Sequence, residues 1–149
     1  MICRAACVFL FVSVLVAYCA DAIANDRERW LALHHAYTAA LEASKYEQAE
    51  TVAREQLQFV REHPLPHEKD NVAREAHSLN QIAVALVPQG DLKTAKKLFT
   101  QSLEMNIAMR GATSKHLIPI LLRLAEVNRQ QGQTEEAAQT LRQAMEVKE

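Results

Sequence analysis

Cysteine is confined to the start of the chain, where Cys3, Cys7 and Cys19 are the only three. Beyond them no disulfide, thiolate nucleophile, zinc–thiolate site or redox motif can be built. Glycine and proline are also scarce, three and four in 149 residues, which is too few to turn the corners of an all-β sandwich. Aromatic residues make up only 5%. Neither sign of charge prevails. Seventeen Lys and Arg against eighteen Asp and Glu leave a formal net charge of −1, without the basic excess of a nucleic-acid binder. What is present is 49% apolar and 23% charged residues, the make-up of a single globular domain rather than of a disordered or collagenous chain. Together these numbers point to helices.

The first 24 residues read differently from the rest. Arg4 is followed by an uncharged run, Ala5 to Tyr18, and then by Ala22-Ile23-Ala24. A secretory signal has a cationic start, an apolar stretch of about 7–15 residues and small residues at the cut. The pattern predicts release of a chain beginning at Asn25, with Ala20-Asp21-Ala22 as a second cleavage position. An uncleaved membrane anchor is the alternative. A spanning helix needs about 20 apolar residues, and Asp21 ends this run early. Lipid attachment at Cys19 is disfavoured by the bulky Tyr18 before it. Removing residues 1–24 leaves 125 residues without cysteine, long enough to bury a core unaided by disulfides. The expected location is therefore periplasmic or secreted, with a membrane-anchored form as the alternative.

The remaining chain, 25–149, repeats itself. Ser44-Lys45-Tyr46-Glu47-Gln48-Ala49, Gly90-Asp91-Leu92-Lys93-Thr94-Ala95 and Gly132-Gln133-Thr134-Glu135-Glu136-Ala137 align without gaps, 46 and then 42 residues apart. A helical stretch follows each segment: Glu47 to Arg61, Leu92 to Arg110 and Thr134 to Lys148. Another precedes each: Arg27 to Ala43, Asn71 to Val87 and Leu117 to Gln131. Apolar residues recur at three and four within them, as in Val72, Ala76, Leu79, Ile82, Ala83 and Leu86, or Ala137, Ala138, Leu141, Ala144 and Met145. Gly90, Gly111 and Gly132 fall at helix ends, where a left-handed residue closes a helix. Pro88 stops one helix, Pro64 and Pro66 mark the longest connection, and Pro119 sits near a helix start, where its missing N–H matters little.

On these residues the chain resembles the tetratricopeptide repeat family. Counted from Ala76, the family's positions hold Leu79, Ile82, Ala83, Leu86, Gly90, Leu92, Ala95, Phe99 and Ser102. Counted from Ile118 they hold Leu121, Leu124, Ala125, Asn128, Gly132, Thr134, Ala137, Leu141 and Ala144. Counted from Trp30 they hold Leu33, Ala36, Tyr37, Ala40, Ser44, Tyr46, Ala49, Ala53 and Gln56. The small residues let paired helices A and B approach, and the large ones fill the remaining volume. The spacing exceeds the usual period of about 34 residues. It resembles the longer variety of kinesin light chains, which also carries an asparagine where Asn80 stands. The resemblance implies an all-α fold, a right-handed superhelical stack of three antiparallel helix pairs, with repeats near 30–63, 76–110 and 118–149. It implies a groove lined by A helices. The last helix itself carries Gln139, Thr140, Arg142, Gln143 and Glu146 opposite its apolar stripe, a polar outward side that lets it cap the stack.

Candidate chemistry is sparse. No phosphate loop, nucleophile elbow or zinc-protease helix motif is present, so the chain reads as non-catalytic, with no cofactor and no metal. His63 and His67 sit four apart, but on a proline-broken stretch that suits solvated loop histidines better than ligands. The groove is more informative. Its expected lining is Leu31, His34, Thr38 and Leu41 from the first A helix, and His77, Asn80, Gln81 and Val84 from the second. The third supplies Leu122, Arg123, Glu126 and Arg129. Such a mixed surface suits an extended peptide or helix: Asn80 bonds its backbone, Arg123 or Arg129 takes a carboxylate, and Leu31, Val84 and Leu122 seat apolar side chains. The carboxylate clamp of chaperone-binding relatives is absent, since His34, Thr38 and Pro119 occupy three of its places and only Arg123 matches. The expected function is an exported scaffold or assembly factor that binds another protein or peptide and no nucleic acid. The alternatives are a membrane-tethered module, a binder of a small cell-wall or sugar fragment, and self-association through the chain end.

Overall fold

The computed structural model describes residues 25–147, and the expected signal segment lies outside the described residues. Residues 25–32 are helical and belong to a separate unit. The unit from residue 33 opens with helix α1, residues 33–42. It continues with α2 (Tyr46–Glu62), α3 (Glu68–Leu86), α4 (Leu92–Arg110), one 3-10 turn (Lys115–Leu117), α5 (Ile118–Gln130) and α6 (Thr134–Glu146). Among the described residues there is no strand. The closest packing is between consecutive helices, α2 on α3, α3 on α4, α4 on α5 and α5 on α6. This is the arrangement of a helical solenoid.

Each helix forms because its apolar positions make one stripe and its ends carry the right punctuation. In α2 the buried residues Ala49, Ala53, Gln56, Phe59 and Val60 follow one another at helical spacing, with Glu47 in the first turn and Arg61 in the last, the signs that suit the helix dipole. Asp91 caps α4 by accepting a hydrogen bond from the Thr94 amide at 3.1 Å. A hydrogen bond from the Thr94 side chain, and after it this amide bond, hold the Asp91 carboxyl below the usual range. Pro119 lies in the first turn of α5.

Helix α3 starts at Glu68 rather than Asn71. The reason is a clasp: Asn71 Nδ2 donates to the Leu65 carbonyl at 2.9 Å, while Oδ1 accepts from the Leu65 amide at 2.7 Å. Asn71 thus already stands inside the helix, reaching back to fasten the proline loop. The salt bridge between Arg61 of α2 and Glu75 of α3 spans the same corner.

The core follows the repeat. Ala49, Ala53, Ala76, Ala83, Ala95 and Ala125 are all buried, with Phe99, Ile82, Leu117 and Val127 the largest fully buried apolar side chains. Two buried hydroxyls tie helices together. Ser102 Oγ donates to the Ala76 carbonyl at 2.8 Å, and Tyr37 OH to the Gln81 carbonyl at 3.1 Å. Burial pushes the Tyr37 phenol up to about 12.

Three departures from the aligned pattern stand out. Ala36 is exposed where its counterparts Ile82 and Leu124 are buried, since α3 and α5 each pack against the helix before them as well as the one after. The outward side of α6 is not wholly polar: among exposed Glu135, Gln139, Arg142, Gln143 and Glu146 stand Leu141, 43% exposed, and Met145, 82% exposed, while Ala137, Thr140 and Ala144 take the inward side. Gln56 is 0% exposed, with neither amide atom hydrogen-bonded among the described residues.

The turn between paired helices recurs in one backbone form. Gly90 and Gly132 have φ of 84° and 75°, and Ser44, at the aligned place in the first pair, is held at 56°. Left-handed backbone strains any residue with a Cβ. Ser44→Gly is therefore expected to stabilise the fold by about 0.5–1 kcal/mol. Gly90→Ala, whose Cβ would meet no neighbour within 4 Å, loses about 1–2 kcal/mol from the backbone alone. Urea midpoints at unchanged slope measure both. Replacing the unbonded amide by Gln56→Met is expected to stabilise the fold by about 1 kcal/mol, read as a higher midpoint at the same slope, because a similar apolar shape carries no desolvated polar atoms.

Candidate functional site

The A helices α1, α3 and α5 bring a compact set of polar side chains together. His34 of α1 and His77 of α3 face each other with ring centroids 5.4 Å apart and planes tilted by 45°. Gln81, one turn beyond His77, is buried and aims its Nε2 at His34 Nδ1, 3.1 Å away. The same residue's carbonyl receives the Tyr37 hydroxyl. Arg123 of α5 completes the group, its charge acting on both His77 and Tyr37. Residues from three separate helices thus share one electrostatic neighbourhood.

His77 is exposed at its rim, yet the helices on either side still strip enough water from the imidazole to make desolvation the first cause of its lowered pKa. His34 and Arg123 lower it further, since a second and third positive charge disfavour protonation. Thr38, half-buried, spends its hydroxyl on the His34 carbonyl of its own helix at 2.9 Å.

Beside this cluster lies an apolar cavity of about 310 Å³ between α3, α4 and α5. Val84, Val87, Pro88, Phe99, Leu122 and Val127 line it, with Arg123 and Glu126 also on its wall. Leu122 is 49% exposed there. Glu126 is committed elsewhere: Arg129 Nε and Nη2 donate to its two oxygens at 2.8 and 2.6 Å, and Gln130 adds a third bond. Those bonds hold the Glu126 carboxyl down at about 2, and Glu126 in turn raises the Arg129 guanidinium. Arg129 is therefore occupied within its own helix. Arg123 has no carboxylate partner among the described residues.

Asn80 falls into a different recess. A polar cleft of about 230 Å³ is lined by Asn80, His77, Asn106, Arg110, His116 and the start of α5 at Pro119. The Asn80 Oδ1 atom is buried there with no hydrogen-bond partner among the described residues. Arg110 and His116 come from the end of a B helix and the following turn, and A-helix spacing gives no signal for either. Gln81, by contrast, lies on the expected face but acts as a buried strut. Leu31 belongs to the separate unit and is exposed. His63 stacks on Phe59 at 4.4 Å, and among the described residues no three His, Cys, Asp or Glu side chains are grouped so that they could hold a metal ion.

Paired helices closed by left-handed turns, alanine at the crossings and polar side chains converging from the A helices describe one class of protein, a helical repeat module. The tetratricopeptide repeat family model matches residues 74–149, just over half of the chain. The chain belongs to the tetratricopeptide repeat family. The match runs from within α3 to the end of the chain, and the first helix pair repeats its turn through Ser44 and its buried alanines through Ala49 and Ala53. No curated protein matches the chain.

The electrostatics yield a signed expectation. His77 titrates below 6.5 in the folded chain, so as pH falls through about 6.5 the unfolded chain takes up that proton first and stability declines, levelling off below the folded value. Arg123→Gln removes one repelling charge and is expected to move the His77 midpoint upward, read from its imidazole proton resonance across a pH titration.

Proposed function

We propose that this protein is an exported, non-catalytic scaffold or assembly factor that holds a segment of another protein, an extended peptide or a short helix, against its A-helix face. Tetratricopeptide repeats serve generally as protein-interaction modules, which supports the coarse reading. The observation that carries the finer one is the state of Arg123: a guanidinium without a carboxylate partner among the described residues, on the wall of an apolar cavity of about 310 Å³. A carboxylate on the partner supplies the missing charge in a bidentate bond, while a neighbouring apolar side chain of the same partner fills the space between Val84 and Leu122. Asn80 Oδ1, buried without a donor among the described residues, accepts an N–H from the partner's backbone. His34, Thr38 and His77 extend the polar side of the contact, and Glu126 with Arg129 form a self-neutralised border to it.

A small sugar or cell-wall fragment is a poorer occupant, because the larger of these two recesses has almost entirely apolar walls. Among the described residues no helix is long and apolar enough to cross a membrane. The membrane-tethered alternative therefore depends on residues 1–24, and loss of those residues from the mass of the mature chain argues for a released signal.

The test is capture of partners from the envelope or secreted fraction by tagged wild type beside the double variant Asn80→Ala/Arg123→Ala. A protein held by wild type and reduced tenfold or more by the variant, a loss of about 1.4 kcal/mol or greater, supports the reading. Equal capture by a variant whose helical content is unchanged overturns it.

A further inference from the structure

In the aligned pairs Leu141 of α6 occupies the place of Phe99 in α4 and Ala53 in α2. Those two are 1% and 0% exposed, and Phe99 lies under the side chains of the following A helix, α5. At 43% exposure, Leu141 shows the kind of surface that this fold covers with a helix. It is not alone. Thr134, Ala138, Leu141 and Met145 recur at four, three and four, making one stripe along α6, separate from the inward residues Ala137, Thr140 and Ala144. Small Ala138 lies near the middle of that stripe and lets another backbone approach. Glu135 and Arg142 stand seven residues apart along one flank of it, and neither has an ion-pair partner among the described residues.

We propose that this stripe is a self-association surface, on which α6 packs antiparallel against α6 of a second copy of the chain. The charge pattern selects that occupant and that direction. A two-fold axis sets the charged flank of one helix against the same flank of the other with its direction reversed, so that Glu135 meets Arg142 of the second copy and Arg142 meets Glu135. A parallel pairing sets opposite flanks together and matches neither charge. The stripe is short, about 16 Å at 1.5 Å per residue. The area it covers falls below the roughly 800 Å² per partner of a standard interface, and its ion pairs lie at a solvated rim. The dimer is therefore weak, and salt weakens it further.

Sedimentation equilibrium of the full chain across a wide concentration range, with four variants, tests this. Wild type is expected to show a reversible monomer–dimer equilibrium. Leu141→Gln is expected to shift it tenfold or more toward monomer. Arg142→Glu and Glu135→Arg each do the same by placing like charges together, and the double swap Glu135→Arg/Arg142→Glu restores dimerisation. All substituted positions are exposed, and circular dichroism checks that the helices are intact. A wild-type chain that stays monomeric overturns the proposal. Association that survives all the single variants, as it would if residues 1–24 or another face were responsible, also overturns it. So does loss of dimer without rescue by the double swap, the result expected if the stripe holds a helix of a different protein.

Discussion

Close approach of paired helices is the constraint on which the rest of this structure depends. Two helices packed at about 8–10 Å between axes leave no room for large side chains on both sides of the crossing. The chain meets this with buried alanine on the facing helices: Ala83 with Ala95, and Ala125 with Ala137. Once the backbones are that close, Phe99, Ile82 and Leu79 fill the space that remains, and the turn that joins each pair has only three to five residues in which to reverse direction. Left-handed backbone at Ser44, Gly90 and Gly132 follows from that short span. The first pair meets the same constraint differently. Tyr37 stands where Ala83 and Ala125 stand in the others, and its ring is accommodated because the hydroxyl reaches the Gln81 carbonyl on α3.

Much of this was legible in the residues themselves. Spacing of three and four located every helix of the compact unit, and glycine marked two of the three paired turns. The third turn was visible only by alignment, because serine carries no propensity signal for left-handed backbone. The start of α3 was misplaced by three residues. Asn71 reads as a helix-opening residue in a sequence, and nothing local reveals that its amide folds back onto Leu65. Gln139, Thr140, Arg142, Gln143 and Glu146 make the outward side of α6 read as polar. That reading missed that Leu141 and Met145 lie next to the buried stripe rather than within it, a difference of a fraction of a helical turn.

The site was legible in outline only. Helical projection puts His34, His77 and Arg123 on A-helix faces, but whether such residues engage one another depends on the distance between helices, which no single-helix pattern contains. Arg123 and Arg129 look equivalent in sequence, both on α5 and both basic. What separates them is Glu126, which sits three residues before Arg129 and three after Arg123. The guanidinium of Arg129 takes both of its oxygens. Asn80 shares its cleft with His77 but also with Arg110 and His116, contributed by a B-helix end and a turn that A-helix periodicity cannot reach.

The principal packing partners along the chain are consecutive helices, and this has a kinetic meaning. Contacts that are near in sequence require little loop closure before they form, so folding through them is fast compared with folding through distant pairings. Each helix pair can nucleate by itself and recruit its neighbour, and the boundary between folded and unfolded chain can travel in either direction. Loss of structure follows the same route in reverse. A weakened pair opens locally and hands the disturbance to the next, so the molecule frays helix by helix instead of breaking at once.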